Sequence, residues 1–262
     1  MNAIEIKGKY LNATTLKILA VVLMVFDHVH QMWVYDGVPM WFTWLGRPVF
    51  PIFLFVMAES FHYTRNRKKL MLRLLFASWF MIIVNFTLGL LLPNHNVVLM
   101  NNAFSTFFIA TLYMLFWDLF LDGHRQKNRK KMIGAILLCF VPILTVFPIL
   151  YMTTIESPPL WLIRALFLIP NIVLVEGGFA IVILGILFYV FRRWRWAQIL
   201  VLLALSVLQY IISPSSPQWM MVFAIIPIFL YNGEKGQGMK NFFYIFYPAH
   251  IYLLYVIATL MQ

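Results

Sequence analysis

The sequence is short of charge. Of its 262 residues only 11% are Asp, Glu, Lys or Arg, and nine acids face twenty bases. A water-soluble core of this length would leave too much apolar surface in solvent, because 63% of the chain is hydrophobic. Cysteine is almost absent. Cys139 stands alone inside an apolar run, which excludes a disulfide framework within the chain and reads as packing. Long polar stretches are missing as well: the loops reach only about ten residues, so no soluble domain is expected. No short-period repeat and no obvious inverted repeat is present, which argues against a transporter built from matched halves. The first apolar run is too long for a cleavable signal and has no small-residue cleavage site. His28 and His30 are two apart and diverge on a helix, so no metal is predicted.

Apolar length is what the chain has. Nine runs recur, at about 15–34, 47–63, 71–92, 103–121, 132–152, 172–191, 196–212, 218–231 and 241–260, in lengths suited to a hydrocarbon layer of roughly 30 Å. They predict an all-α, polytopic membrane protein of about nine transmembrane helices, with 1–262 a single transmembrane domain. Residues 157–171, "SPPLWLIRALFLIPN", are apolar enough to make a tenth. Prolines at both ends, Trp161 and a lone Arg164 favour an interfacial or re-entrant segment on the outer side.

The few charges are ordered. Lys7, Lys9 and Lys17 precede or open the first run. Basic clusters follow the second (Arg65, Arg67, Lys68, Lys69, Arg73), the fourth (Arg125, Lys127, Arg129, Lys130, Lys131) and the sixth (Arg192, Arg193, Arg195). Lys235 and Lys240 follow the eighth. The alternate loops, 35–46, 93–102, 153–160 and 213–217, carry almost none. Basic residues stay cytoplasmic, so the N-terminus is expected inside and the C-terminus outside. Positive-inside loops beside anionic lipid also explain the net +11, with no need of nucleic acid.

Inside the runs, ionisable residues cost a few kcal/mol each and often mark a site. They are Asp27, His28, His30, Glu59, Asp118, Glu176 and His250, with Asn85 and Gln209 as neutral companions. Asp118 and Glu176 sit near run ends and are assigned no role. In "LKILAVVLMVFDHVHQMW", Lys17 and His28 are eleven residues apart and share a helix face, roughly 16 Å apart along the axis. Lys17 falls at the cytoplasmic mouth and His28 in the outer half. Asp27 points about 100° away and lies one turn from His30, so the expected pair is Asp27–His30, with His28 left to meet substrate.

In "GRPVFP", Pro48 suits a first helical position and Gly46 the turn before it. Arg47 is then expected at an outer helix N-terminus, where a guanidinium can serve a carbonyl developing negative charge. An interfacial arginine reaching lipid phosphate is the plainer reading. Glu59 and His62 lie one turn apart before the basic run "TRNRKK", where they orient each other or line a mouth for an anionic ligand. Pro248 loosens the last helix just before His250, which falls near His28 in depth.

A cation, ten intervening positions and a histidine on the first span resemble the signature of acyltransferase-3 membrane acyltransferases, with Lys17 where those proteins carry arginine. The likeness is closer to one branch, the TraX family, named for a pilin N-acetylase. "LKILAVVLMVFDHVH", "LGRPVFPIFLFVMAESFHYTRNRKKLMLRL", "NNAFSTFFIATLYML", "FLYNGEKGQG" and "KNFFYIFYPAHIYLLYVI" resemble its blocks in the same order, over about 16–258.

The resemblance implies acetyl-CoA as acyl donor, His28 as the reacting histidine and a supporting role for His250. Combined with the residues' own chemistry, it gives His28 as general base and Arg47 as oxyanion partner. Asp27, His30 and Glu59 support them. Lys17, Arg65, Arg67, Lys68 and Lys69 meet the donor's phosphates. The acceptor (a protein N-terminus, a glycan or a lipid) is left open. A small-molecule exporter, expected to show broken helices in corresponding halves, and a non-enzymatic assembly component, which needs none of these polar residues, are the alternatives. A multi-pass protein of a bacterial cytoplasmic membrane is expected in every case.

Overall fold

The structure is a computed structural model that describes residues 10–262; Lys7 and Lys9, used above for orientation, lie outside the described residues. The described chain is helical. Its helices are α1 (Ala13–Met32), α2 (Trp41–Gly46), α3 (Val49–Tyr63), α4 (Arg67–Leu91), α5 (Ala103–Arg125), α6 (Arg129–Leu144), α7 (Phe147–Met152), α8 (Leu160–Phe167), α9 (Gly178–Val190), α10 (Arg195–Ile212), α11 (Ile225–Phe229) and α12 (Lys240–Leu260), with a 3-10 stretch at Pro217–Ala224. Among the described residues, the only strand-like feature is an isolated bridge, Leu11 to Tyr231.

Each of the nine apolar runs meets helix. Among the described residues, seven helices are long and apolar enough to cross a membrane: Ala13–Met32, Trp41–Tyr63, Arg67–Leu91, Ala103–Arg125, Arg129–Met152, Arg195–Ile212 and Asn241–Leu260. The other two runs give only Gly178–Val190 and Pro217–Phe229. At 1.5 Å per residue these reach roughly 20 Å each, short of a full hydrocarbon layer. Segment 157–171 holds α8, whose eight residues span roughly 12 Å. It is too short for a tenth crossing.

Asparagines start several helices. The side chain of Asn12 accepts from the Thr14 and Thr15 amides, that of Asn102 from Ser105, that of Asn128 from Lys131 and that of Asn66 from Lys69. These bonds satisfy amides that have no partner within the helix. The last two caps begin the same tetrapeptide, "NRKK", at 66–69 and 128–131. Three cations on a first helical turn oppose the helix dipole. Membrane topology explains them better than helix stability does.

The chain divides into two compact units. One holds residues up to Met57, Leu92–Val98 and Phe191–Gln262. In it α1 packs on α2 and α12, and α10 on the 3-10 stretch and α11. Lys17 near the start of α1 meets Phe243 near the start of α12, and His28 further along meets His250. The two helices therefore run parallel, as an odd number of crossings between them requires.

The other unit holds Ala58–Leu91 and Leu99–Val190. It is organised on α5, which packs against α4, α6 and α9. Ile109, Ile172, Val175 and Val182 form its buried cluster. The faces of α4 and α6 away from α5 expose Phe76, Phe80, Ile83, Leu137 and Leu144, side chains that suit lipid.

Candidate functional site

Successive side chains on α1 point different ways, and Asp27, His28 and His30 near its end each have a separate neighbour. His28 turns to α12, where its Nδ1 lies 2.7 Å from His250 Nε2. The two rings meet edge to edge, 4.9 Å between centroids, and the Phe246 ring stacks on His250 at 4.8 Å. Both histidines are buried, His28 to 4% exposure. The depth match drawn from the sequence becomes a direct hydrogen bond, so His28 is not left to substrate alone.

The expected Asp27–His30 pair is replaced. Both side chains do face α2, as their spacing requires, but they find different partners there. His30 Nδ1 bonds Thr43 Oγ1 at 2.9 Å, and Asp27 Oδ1 takes Arg47 Nη2 at 2.6 Å. A full guanidinium charge is a stronger partner for a carboxylate than an imidazole one turn away.

Arg47 stands between two helices. The sequence expects a helix to begin at Pro48, and α3 does begin at Val49, but Trp41–Gly46 before it is already helical, Arg47 has helical dihedrals and its amide bonds the Trp44 carbonyl. What holds Arg47 is its own fork: Nε donates to the Thr43 carbonyl, Nη1 to Gln218 Oε1 and Nη2 to Asp27 Oδ1. A guanidinium has five N–H donors. These three bonds leave two for a further acceptor, and Asp27, which anchors Arg47, directly precedes His28 on α1. Gly46 is also needed for a reason other than turn freedom. A Cβ there would collide with the Asp27 side chain, so the glycine lets α2 approach α1 closely enough for the ion pair to form.

At the other end of α1, residues 230–238 wrap the first turn. The Leu11 amide donates to the Leu230 carbonyl and the Leu11 carbonyl accepts from the Asn232 amide, either side of the Tyr231 bridge, and the Ala13 amide bonds the Glu234 carbonyl. Thr14 Oγ1 donates to the carbonyls of Lys235 and Gln237 at 3.0 and 2.6 Å. Gly236 sits at φ +68°, with no room for a Cβ beside Asn12. This loop sets the Lys235 backbone against the first turn of α1, one turn before Lys17, whose Nζ lies 4.5 Å over the Phe243 ring. Lys17 and Lys235 thus lie toward the N-terminal end of α1, about three helical turns from His28.

The family model described as TraX protein matches residues 12–258. The chain belongs to the TraX family. No curated protein and no solved structure matches it.

The remaining predicted site residues of this TraX chain lie in the α5 unit. Arg67 is turned inward. Its Nη1 meets Asp118 Oδ2 at 2.6 Å, Tyr189 OH donates to the same oxygen at 2.6 Å, and the guanidinium lies over Phe61. Arg65, Lys68 and Lys69 are exposed and Glu59 is half-buried. His62 is exposed, its ring against Tyr63 and Tyr189. Glu176 accepts from the amide of Asn102, the residue that caps α5. Among the described residues no three His, Cys, Asp or Glu side chains gather as a metal site does.

Sequence reasoning passed over Thr43, Gln218 and Lys235 as site residues. Only Lys235 had a signal, its place in the glycine-rich "NGEKGQG". Nothing local distinguishes Thr43 or Gln218.

Proposed function

We propose that this TraX-family protein is a membrane-embedded acyltransferase of the acyltransferase-3 type. It moves an acetyl group from cytoplasmic acetyl-CoA to an amine or hydroxyl of an envelope, exported or lipid-linked acceptor. The observation that carries the reading is the buried His28–His250 pair beside an arginine anchored to Asp27, the residue before His28. A structural polar pair in a membrane needs no such cation, whereas acyl transfer needs both a base and a positive partner for the oxyanion. TraX family membership supports the same chemistry.

The acceptor loses its proton to His28, and its nitrogen or oxygen attacks the thioester carbonyl carbon. The two remaining N–H donors of Arg47 meet the carbonyl oxygen as it becomes negative. Collapse breaks the C–S bond, and the thiolate takes the proton back from His28. Atoms balance as acyl thioester plus acceptor giving acylated acceptor plus CoA thiol. The donor's phosphates are assigned to Lys17 and Lys235, which share a unit with His28, ahead of Arg65, Lys68 and Lys69. Arg67 is committed to Asp118. The protein works as a multi-pass component of a bacterial cytoplasmic membrane.

The test uses purified protein in lipid nanodiscs with [14C]acetyl-CoA and a detergent extract of the source cell envelope. Free CoA thiol and label in an envelope component are expected. A folded protein that produces neither overturns the proposal.

A further inference from the structure

We infer that His250 is a positioning residue that fixes the tautomer of His28, leaving Nε2 of His28 as the basic nitrogen. The inference rests on the acyltransferase reading only for its catalytic meaning, since the tautomer follows from hydrogen-bond chemistry alone.

The chain of reasoning starts at a backbone oxygen. His250 Nδ1 lies 2.7 Å from the Phe246 carbonyl. A carbonyl only accepts, so Nδ1 of His250 carries a proton. An uncharged imidazole carries one proton, donating from one nitrogen and accepting at the other. Nε2 of His250 is therefore an acceptor, and the group 2.7 Å away, Nδ1 of His28, must donate to it. With its one proton on Nδ1, His28 carries its lone pair on Nε2. Three groups in a row (carbonyl, His250, His28) thus set which nitrogen of the last is basic.

The acceptor lies one helical turn before His250 on the same helix, so α12 itself supplies the carbonyl that fixes the His250 proton. The Phe246 ring stacks within 15° of parallel on His250 and holds that imidazole in its plane.

The arrangement does what a carboxylate does behind a catalytic histidine, holding orientation and tautomer, with an uncharged group. When Nε2 of His28 gains the acceptor's proton, the Nδ1–H bond to His250 becomes charge-assisted and strengthens. No proton leaves His250, and Nδ1 of His28 keeps its own. Returning the Nε2 proton to the thiolate restores the starting tautomer. An uncharged partner suits this depth, since a carboxylate within the membrane costs a few kcal/mol unless paired.

The test is made on the full-length protein in nanodiscs, labelled with 15N-histidine. Nitrogen–proton couplings read which nitrogen of His28 is protonated, and acyl transfer is measured on the same samples. In wild type, Nδ1 of His28 is expected to be protonated and Nε2 not. His250→Gln keeps an acceptor oxygen for that proton, so it should hold the tautomer and stay within roughly tenfold of wild-type turnover. His250→Leu should lose the tautomer and about 10²-fold or more of turnover, the scale of a mispositioned base. A merely structural histidine predicts the reverse ranking, because an apolar leucine packs better than a glutamine in this setting. An Nε2-protonated His28 in wild type, or His250→Leu as active as His250→Gln, overturns the inference. If His250→Leu fails to fold, the wild-type spectrum decides alone. The expected tautomer in a protein without transfer activity would leave this inference standing and remove the acyltransferase reading.

Discussion

Two clusters of ionisable side chains, one in each unit, lead to opposite readings. Arg67, Asp118 and Tyr189 form a closed set: one carboxylate oxygen takes both the guanidinium and the phenol at 2.6 Å, and the charges cancel. Adding a proton to Asp118 would break bonds that are already made. His28 and His250 carry no formal charge in their shared hydrogen bond, and a proton arriving at His28 strengthens that bond. A cation, Arg47, is tied nearby with donors to spare. Burial of a titratable group is therefore weak grounds for a site by itself. A network that tolerates a change of protonation is stronger grounds.

Four variants probe this contrast, ordered by their expected effect on turnover. Arg47→Lys should lower kcat by roughly 10²–10³-fold, the range seen when one oxyanion donor is lost. A point charge cannot hold Asp27, Gln218 and the Thr43 carbonyl while also serving an oxyanion. Comparison of kcat with KM checks it, and a change confined to KM would place Arg47 in binding only. Gly46→Ala should follow, with up to about 10²-fold loss, since its Cβ enters the space of Asp27 and shifts the ion pair. Turnover and Tm measured on the same sample check it, and a lower Tm with turnover per folded molecule unchanged would make Gly46 a packing residue only.

Lys235→Ala should raise KM for acetyl-CoA by up to about fivefold with kcat unchanged, the worth of an exposed cation. Dephosphorylated donor analogues should show a smaller difference between variant and wild type. Asp118→Asn should leave turnover per folded molecule unchanged. It should cost about 1–3 kcal/mol of stability, the value of hydrogen bonds to a charged group, read as a lower Tm. If Asp118→Asn impaired catalysis with Tm intact, the contrast between the two clusters would fail.

Much of this was legible in the sequence, for reasons of period and charge. Hydropathy located every run because lipid demands length. Helical spacing put Lys17 and His28 on one face, and both face α12. The reading failed wherever a partner is far away in the chain. Asp27 and His30 are neighbours on α1, yet α2 supplies a better partner for each. Gly46 looked like a turn residue because contact with Asp27 leaves no local mark. Pro48 did mark the start of α3 at Val49, but nothing local showed that α2 already winds the turn before it. Arg67 looked like its exposed neighbours Lys68 and Lys69 until the fold brought Asp118, fifty-one residues on, against it.

The claim that His28 is the base is tested most directly on one purified sample of His28→Ala in nanodiscs, with turnover, acetyl-CoA binding and Tm all measured. Loss of a positioned base predicts a fall of roughly 10²–10⁴-fold in CoA release per folded molecule, with donor binding retained and Tm within a few degrees of wild type. A well-folded His28→Ala protein that transfers at the wild-type rate would contradict it.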